Sequence, residues 1–66
     1  MNTAKIGATL LELRGSRTQQ EVADAIGVAV ATIGMYERGE RVPKDEIKIR
    51  LANYYKKSVE EIFFAQ

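Results

Sequence analysis

Apolar positions recur along this chain with a helical period. Ile6, Leu10 and Leu13 fall at i, i+4 and i+7, one stripe on a helix over residues 3–13, and Gly15 follows as a stop. Val22, Ala23 and Ile26 make the next stripe, which ends at Gly27. Ahead of it, Thr18 and Glu21 have the S/T-x-x-E spacing of a capping box, in which each side chain satisfies the other residue's free backbone N–H. A third helix is expected over residues 30–37, closing at Gly39. Pro43, whose fixed φ suits a first helical turn, sets the start of a fourth helix that reaches about residue 56, with Ile47, Leu51 and Tyr55 inward. Ser58 and Glu61 form a second capping box and open a short fifth helix carrying Val59, Ile62 and Phe63. Nothing alternates with period two for long enough to make a strand. The expectation is an all-α fold of five helices in one domain over residues 1–66, with no repeat and no linker.

The third helix has the poorest local signals. Its expected N-cap, Ala29, offers no oxygen to the free N–H groups, at a cost of about 0.5–2 kcal/mol against Ser or Thr. Gly34 stands in its middle and costs about 1 kcal/mol more relative to Ala. Val30, Thr32 and Ile33 are β-branched. Packing of Ile33 and Tyr36 against the second and fourth helices is expected to hold it. Two short amphipathic segments meeting at Gly27 are the pattern of a helix-turn-helix, whose second helix can lie in a DNA major groove.

Composition removes several chemistries. Without cysteine or histidine the chain has no disulfide, thiolate metal site or imidazole base. The carboxylates are scattered, no nucleophile–base pair is suggested by spacing, and no glycine loop is built to cradle phosphate, so neither an enzyme nor a metal or cofactor site is expected. No segment approaches the roughly 20 apolar residues of a membrane span. The opening residues lack the long apolar run of a signal peptide, which makes the cytoplasm the expected location.

The net charge is only +1. Its distribution says more: residues 29–57 hold seven Lys/Arg against four acids, a local +3, and residues 58–66 hold Glu60 and Glu61 with no base. Such a dipolar arrangement can orient a small protein on a polyanion, and it also fits an ordinary solvated surface.

Three segments carry a resemblance. TQQEVADAIGV is similar to the TQ-x-E-[LV]-A-x-x-[IL]-GV of the phage-repressor helix-turn-helix family (Cro/cI or XRE type). TIGMYERGERVP resembles its TI-x-x-[WY]-E-x-G-x-x-x-P, and LANYYKKSVEEIF resembles its closing segment. The resemblance spans nearly the whole chain and implies a compact lambda-repressor-like fold with the helix-turn-helix at helices two and three. It implies a transcription regulator, repressor-like, that binds double-stranded DNA as a homodimer.

Residue by residue, the resemblance puts Thr18 and Gln19 at the DNA backbone. It assigns Arg38, Arg41 and Lys44 to phosphates or the minor groove, which would make binding salt-dependent. Arg14 and Glu37 match a salt bridge between the first and third helices. Tyr36 matches an aromatic packing position. Base-facing positions are Ala29, Val30, Ala31, Gly34 and Met35, with Thr32 near the backbone. Here the chain departs from the family, many of whose members place Ser, Arg, Gln or Lys at several of these positions. Arg–guanine and Gln/Asn–adenine pairs, each worth about 1–3 kcal/mol of discrimination, are not available. Apolar contact with thymine methyls and DNA shape remain. The same apolar face suits a second reading, a scaffold that grips another repressor protein. No small-molecule substrate is expected. Ile47, Val59, Ile62, Phe63 and Phe64 supply more apolar surface than one short helix can bury, and are expected to mediate dimerisation.

Overall fold

The computed structural model describes residues 2–64. The ends of the expected domain, residues 1, 65 and 66, lie outside them. The described residues are all-helical, with α1 Thr3–Arg14, α2 Gln19–Ile26, α3 Val30–Glu37, α4 Asp45–Tyr55 and α5 Glu60–Phe64.

Local chemistry accounts for most helix ends. Asn2 caps α1 by accepting from the Lys5 N–H at 3.0 Å. The α2 capping box is complete: Glu21 N–H donates to Thr18 Oγ1 at 3.0 Å, and Thr18 N–H donates to Glu21 Oε1 at 3.3 Å. Gly27 closes α2 in the left-handed region. Arg50 of α4 donates to the Ile26 carbonyl at 3.1 Å, which satisfies an oxygen of the last α2 turn and ties α4 to α2. At the other end of the chain, Ser58 and Glu61 exchange hydrogen bonds of 2.9 and 3.0 Å.

One boundary and one winding differ from expectation. α4 begins at Asp45 because Lys44 is extended (φ −65°, ψ 160°) and serves as N-cap, so Pro43 is a buried turn residue just outside the helix. α5 is wound as a π-helix. That wider turn lets the consecutive residues Ile62 and Phe63 both point inward and leaves Phe64 exposed.

The core joins Ile6 and Leu10 of α1, Val22, Ala23 and Ile26 of α2, Ile33 and Tyr36 of α3, Leu51, Ala52 and Tyr55 of α4, and Ile62 and Phe63 of α5. Ile47, expected on the inner face of α4, is only partly buried. α3 makes its close backbone approaches to α2, against which it was expected to pack, and to α1, which was not foreseen. α4 meets α3 mainly through Leu51 and Tyr55, which share the walls of a small crevice with Ile33 and Tyr36.

Gly7 makes the α1–α3 approach possible. A Cβ there would lie 2.5 Å from the Glu37 carbonyl oxygen, 2.8 Å from that of Tyr36 and 2.9 Å from the Gly39 nitrogen. Gly39 answers from the other side. It has φ +73°, and its own Cβ would sit 3.0 Å from the Thr3 carbonyl oxygen. The end of α3 is thus seated on the first two turns of α1. Arg17 of the α1–α2 turn stacks over Tyr54 and Tyr55 at 5.5 and 5.7 Å.

Candidate nucleic-acid interface

The α2–α3 unit is pinned by one carboxylate. Glu37, at the C-terminal end of α3, accepts from Arg14 Nε at 2.7 Å and from Gln19 Nε2 at 2.9 Å. Its side chain is only 5% exposed, so these charge-assisted bonds form largely out of water, where they are strongest. Arg14 Nη1 also donates to the Arg17 carbonyl at 2.7 Å, which extends the clamp to the α1–α2 turn. The hydrogen bond that Arg14 donates to Glu37 holds the Arg14 pKa above its ordinary value. Burial, followed by the Glu37 charge, pushes the Tyr55 hydroxyl up to about 12.

This clamp fixes Gln19, the residue expected at the DNA backbone. Its amide nitrogen donates to Glu37. Thr18, expected beside it, spends its hydroxyl on the α2 cap. Its oxygen accepts the Glu21 N–H, and its O–H lies 3.5 Å from Glu21 Oε1.

Along α3, Ala29, Val30 and Ala31 are exposed and Thr32 and Met35 are half-buried. Gly34 departs from the base-facing role expected of it, because it is buried. Arg38 folds back over it, so that a Cβ on Gly34 would meet Arg38 Nη1 at 2.9 Å and lie 3.7 Å from Gln19 Nε2. The absent side chain makes room for a guanidinium beside Gln19. Arg38 is itself held by Glu40 in a two-pronged pair, Nε to Oε2 at 2.9 Å and Nη2 to Oε1 at 3.2 Å. The pair raises the Arg38 pKa and lowers that of Glu40.

Past Gly39 the chain forms one wall of an open groove of about 280 Å³, lined by Val28, Thr32, Tyr36, Arg41, Val42, Lys44 and Ile47. Arg41 and Lys44 stand exposed on it. Burial raises the Tyr36 pKa, and the Arg41 charge opposes that rise. Basic side chains thus flank α3 at its C-terminal end, and the N-terminal half of its outer face is apolar.

The expected dimer set needs correction. Ile62 and Phe63 are buried within the molecule and anchor α5, so they cannot present a surface. Ile47 and Val59 are half-buried, and Phe64 is exposed. Sequence reasoning missed three contacts. The Gln19–Glu37 link joins positions 18 residues apart, which only folding brings together. Gly7 gave no signal beyond its identity. The Arg38–Glu40 pair was visible as opposite charges either side of Gly39, a spacing that a tight turn brings into reach.

Among the described residues no three Asp or Glu side chains come together as a metal site, and no helix is long and apolar enough to cross a membrane. The profile of the helix-turn-helix family, of XRE or Cro/cI type, matches residues 10–62. That family consists of DNA-binding regulatory domains. No curated protein and no solved structure is significantly similar to the chain.

Proposed function

Since the chain belongs to the Cro/cI-type helix-turn-helix family, we propose that it is a repressor-like, sequence-specific transcription regulator acting in the cytoplasm. It binds double-stranded DNA as a homodimer, with α3 in the major groove of an approximately palindromic operator. It is a binding protein and not an enzyme, and promoter occlusion is its simplest mode of action. The observation that carries the reading is the clamp at Glu37. That clamp sets the start of α2 and the body of α3 as one rigid unit, with Gln19, Arg38, Arg41 and Lys44 on its edges. Rigid presentation of a helix flanked by basic groups suits a phosphate-bordered groove. The molecule measures 27 × 22 × 22 Å, so two copies side by side can set equivalent helices at the roughly 34 Å spacing of successive major grooves.

The base-facing surface reads few hydrogen bonds. Ala29, Val30 and Ala31 offer contact to thymine methyls, so much of the specificity comes from DNA shape and half-site spacing. Selection from a random duplex pool at physiological salt tests the reading. A recovered palindrome supports it; retention without enrichment, or no retention, defeats it.

A second reading is favoured by one observation. Val30 is an exposed large hydrophobic on α3, and Arg38, at the other end of the helix, is already paired with Glu40. A face of this kind also fits a complementary apolar surface on another repressor protein. Val30→Arg separates the two, since it abolishes docking to such a protein and maintains or strengthens binding to DNA.

A further inference from the structure

On a different face from α3, a groove of about 420 Å³ is lined by Asp45, Lys48 and Ile49 of α4 together with Val59 and Phe64. Ile49 and Phe64 are 53% and 52% exposed, two of the four large hydrophobics that stand out into solvent among the described residues. Between them lies a nearly buried cation. The Lys48 side chain is 9% exposed, and its ammonium sits 5.7 Å from the Phe63 ring centroid and 5.2 Å from that of Phe64. Its carboxylate neighbour, Asp45, is 3.6 Å away and 98% exposed. That distance is well beyond the roughly 2.7–2.9 Å of a charge-assisted hydrogen bond, so the Asp45 oxygens keep most of their acceptor capacity.

We propose that this groove is the seam between two copies of the chain, closed by two reciprocal ion pairs in which Asp45 of each copy meets Lys48 of the other. The inference rests on the homodimer reading above and adds to it the surface and the residues that select the partner. Positions 45, 48 and 49 are i, i+3 and i+4 on one face of α4. A two-fold axis brings the same patch of both copies together, so the patch must complement itself. This one does. Negative charge at 45 and positive charge at 48 face opposite signs when two α4 helices run antiparallel, and Ile49 and Phe64 then lose their exposed apolar area beside them. A patch of a single sign would repel its own copy. A polar pair within an apolar seam also fixes register, because a slipped or parallel alignment leaves a charge desolvated and without an opposite sign.

Two charge reversals test this on the full chain, Asp45→Lys and Lys48→Glu, read by sedimentation equilibrium with circular dichroism to check the fold. Asp45 is almost fully solvent-exposed, so its reversal removes no core contact, and circular dichroism shows whether α4 tolerates the loss of the carboxylate beside Lys48. Each variant alone places like charges opposite one another and weakens self-association about tenfold or more. In an equimolar mixture the first variant presents positive charge at both positions and the second presents negative charge at both. Opposite signs then meet across the seam, and association returns to within about threefold of the unaltered protein. Recovery also answers the concern that Lys48→Glu misfolds, since a misfolded chain does not restore its partner. Variants that self-associate like the parent, or a mixture that does not recover, overturn the reciprocal pairs and leave the homodimer standing. A parent chain that stays monomeric at high concentration overturns both.

Discussion

Helices α2 and α3 are each eight residues long and pack side by side, yet they owe their existence to different forces. α2 carries a reciprocal capping box, a left-handed glycine at its end and a clean inward stripe of Val22, Ala23 and Ile26. Its start, stop and face are all set by residues within a few positions of one another. α3 has an N-cap with no side-chain oxygen, a glycine in its middle and an apolar residue on nearly every side. It is kept helical from outside, by the seat that Gly7 provides on α1 and by the Glu37 carboxylate that Arg14 and Gln19 grip. A helix held this way has its outer face released from the work of folding. Ala29, Val30 and Ala31 can then be chosen for what they touch.

That contrast can be broken most directly at Gly7. Gly7→Val drives branched carbons into the Glu37 and Tyr36 carbonyls and costs about 3 kcal/mol or more, read as a lower urea midpoint. Glu37→Ala removes the acceptor shared by two donors and costs about 2 kcal/mol. Amide exchange should accelerate more in α3 than in α2, and equal acceleration would count against the contrast.

Alkaline pH loosens the same junction. Tyr55 titrates near its ordinary 10.0 in the unfolded chain and at about 12 in the fold. Its contribution to stability is therefore complete below pH 10.0 and is lost as pH rises to about 12. Urea midpoints measured across that range should fall, and Tyr55→Phe should flatten the fall. Tyr36, raised in the same direction by burial, leaves part of it in place.

The smallest effects are a mirror-image pair. Thr18→Ala removes a good cap from α2 and costs about 1 kcal/mol, and Ala29→Ser gives α3 the cap it lacks and adds about 0.5–1 kcal/mol. If Ala29→Ser leaves the melting temperature unchanged, α3 is not limited by its N-terminus.

Much of the candidate site was legible before folding. The Thr18–Glu21 box, the Gly27 turn and the basic side chains at 38, 41 and 44 are local features, and the motifs around them placed the helix-turn-helix. What each side chain does was less legible. Gly34 looked like an open face and turned out to lie under Arg38, because a guanidinium anchored by Glu40 folds back along the helix. Ile62 and Phe63 looked like spare apolar surface, and the π-turn of α5 carried both inward.

By itself, then, the sequence determined the number of helices, most of their ends and the family. Caps, stops and apolar periods act over three to four residues, within reach of a local reading. Only the tertiary structure decided that α3 would lean on α1 through two glycines, that Gln19 would be locked to Glu37, and that Lys48 would lie nearly buried between Asp45 and two phenylalanines. Those outcomes depend on which surfaces meet at van der Waals distance. No local period or propensity encodes that, because it arises when the whole set of helices shares one core.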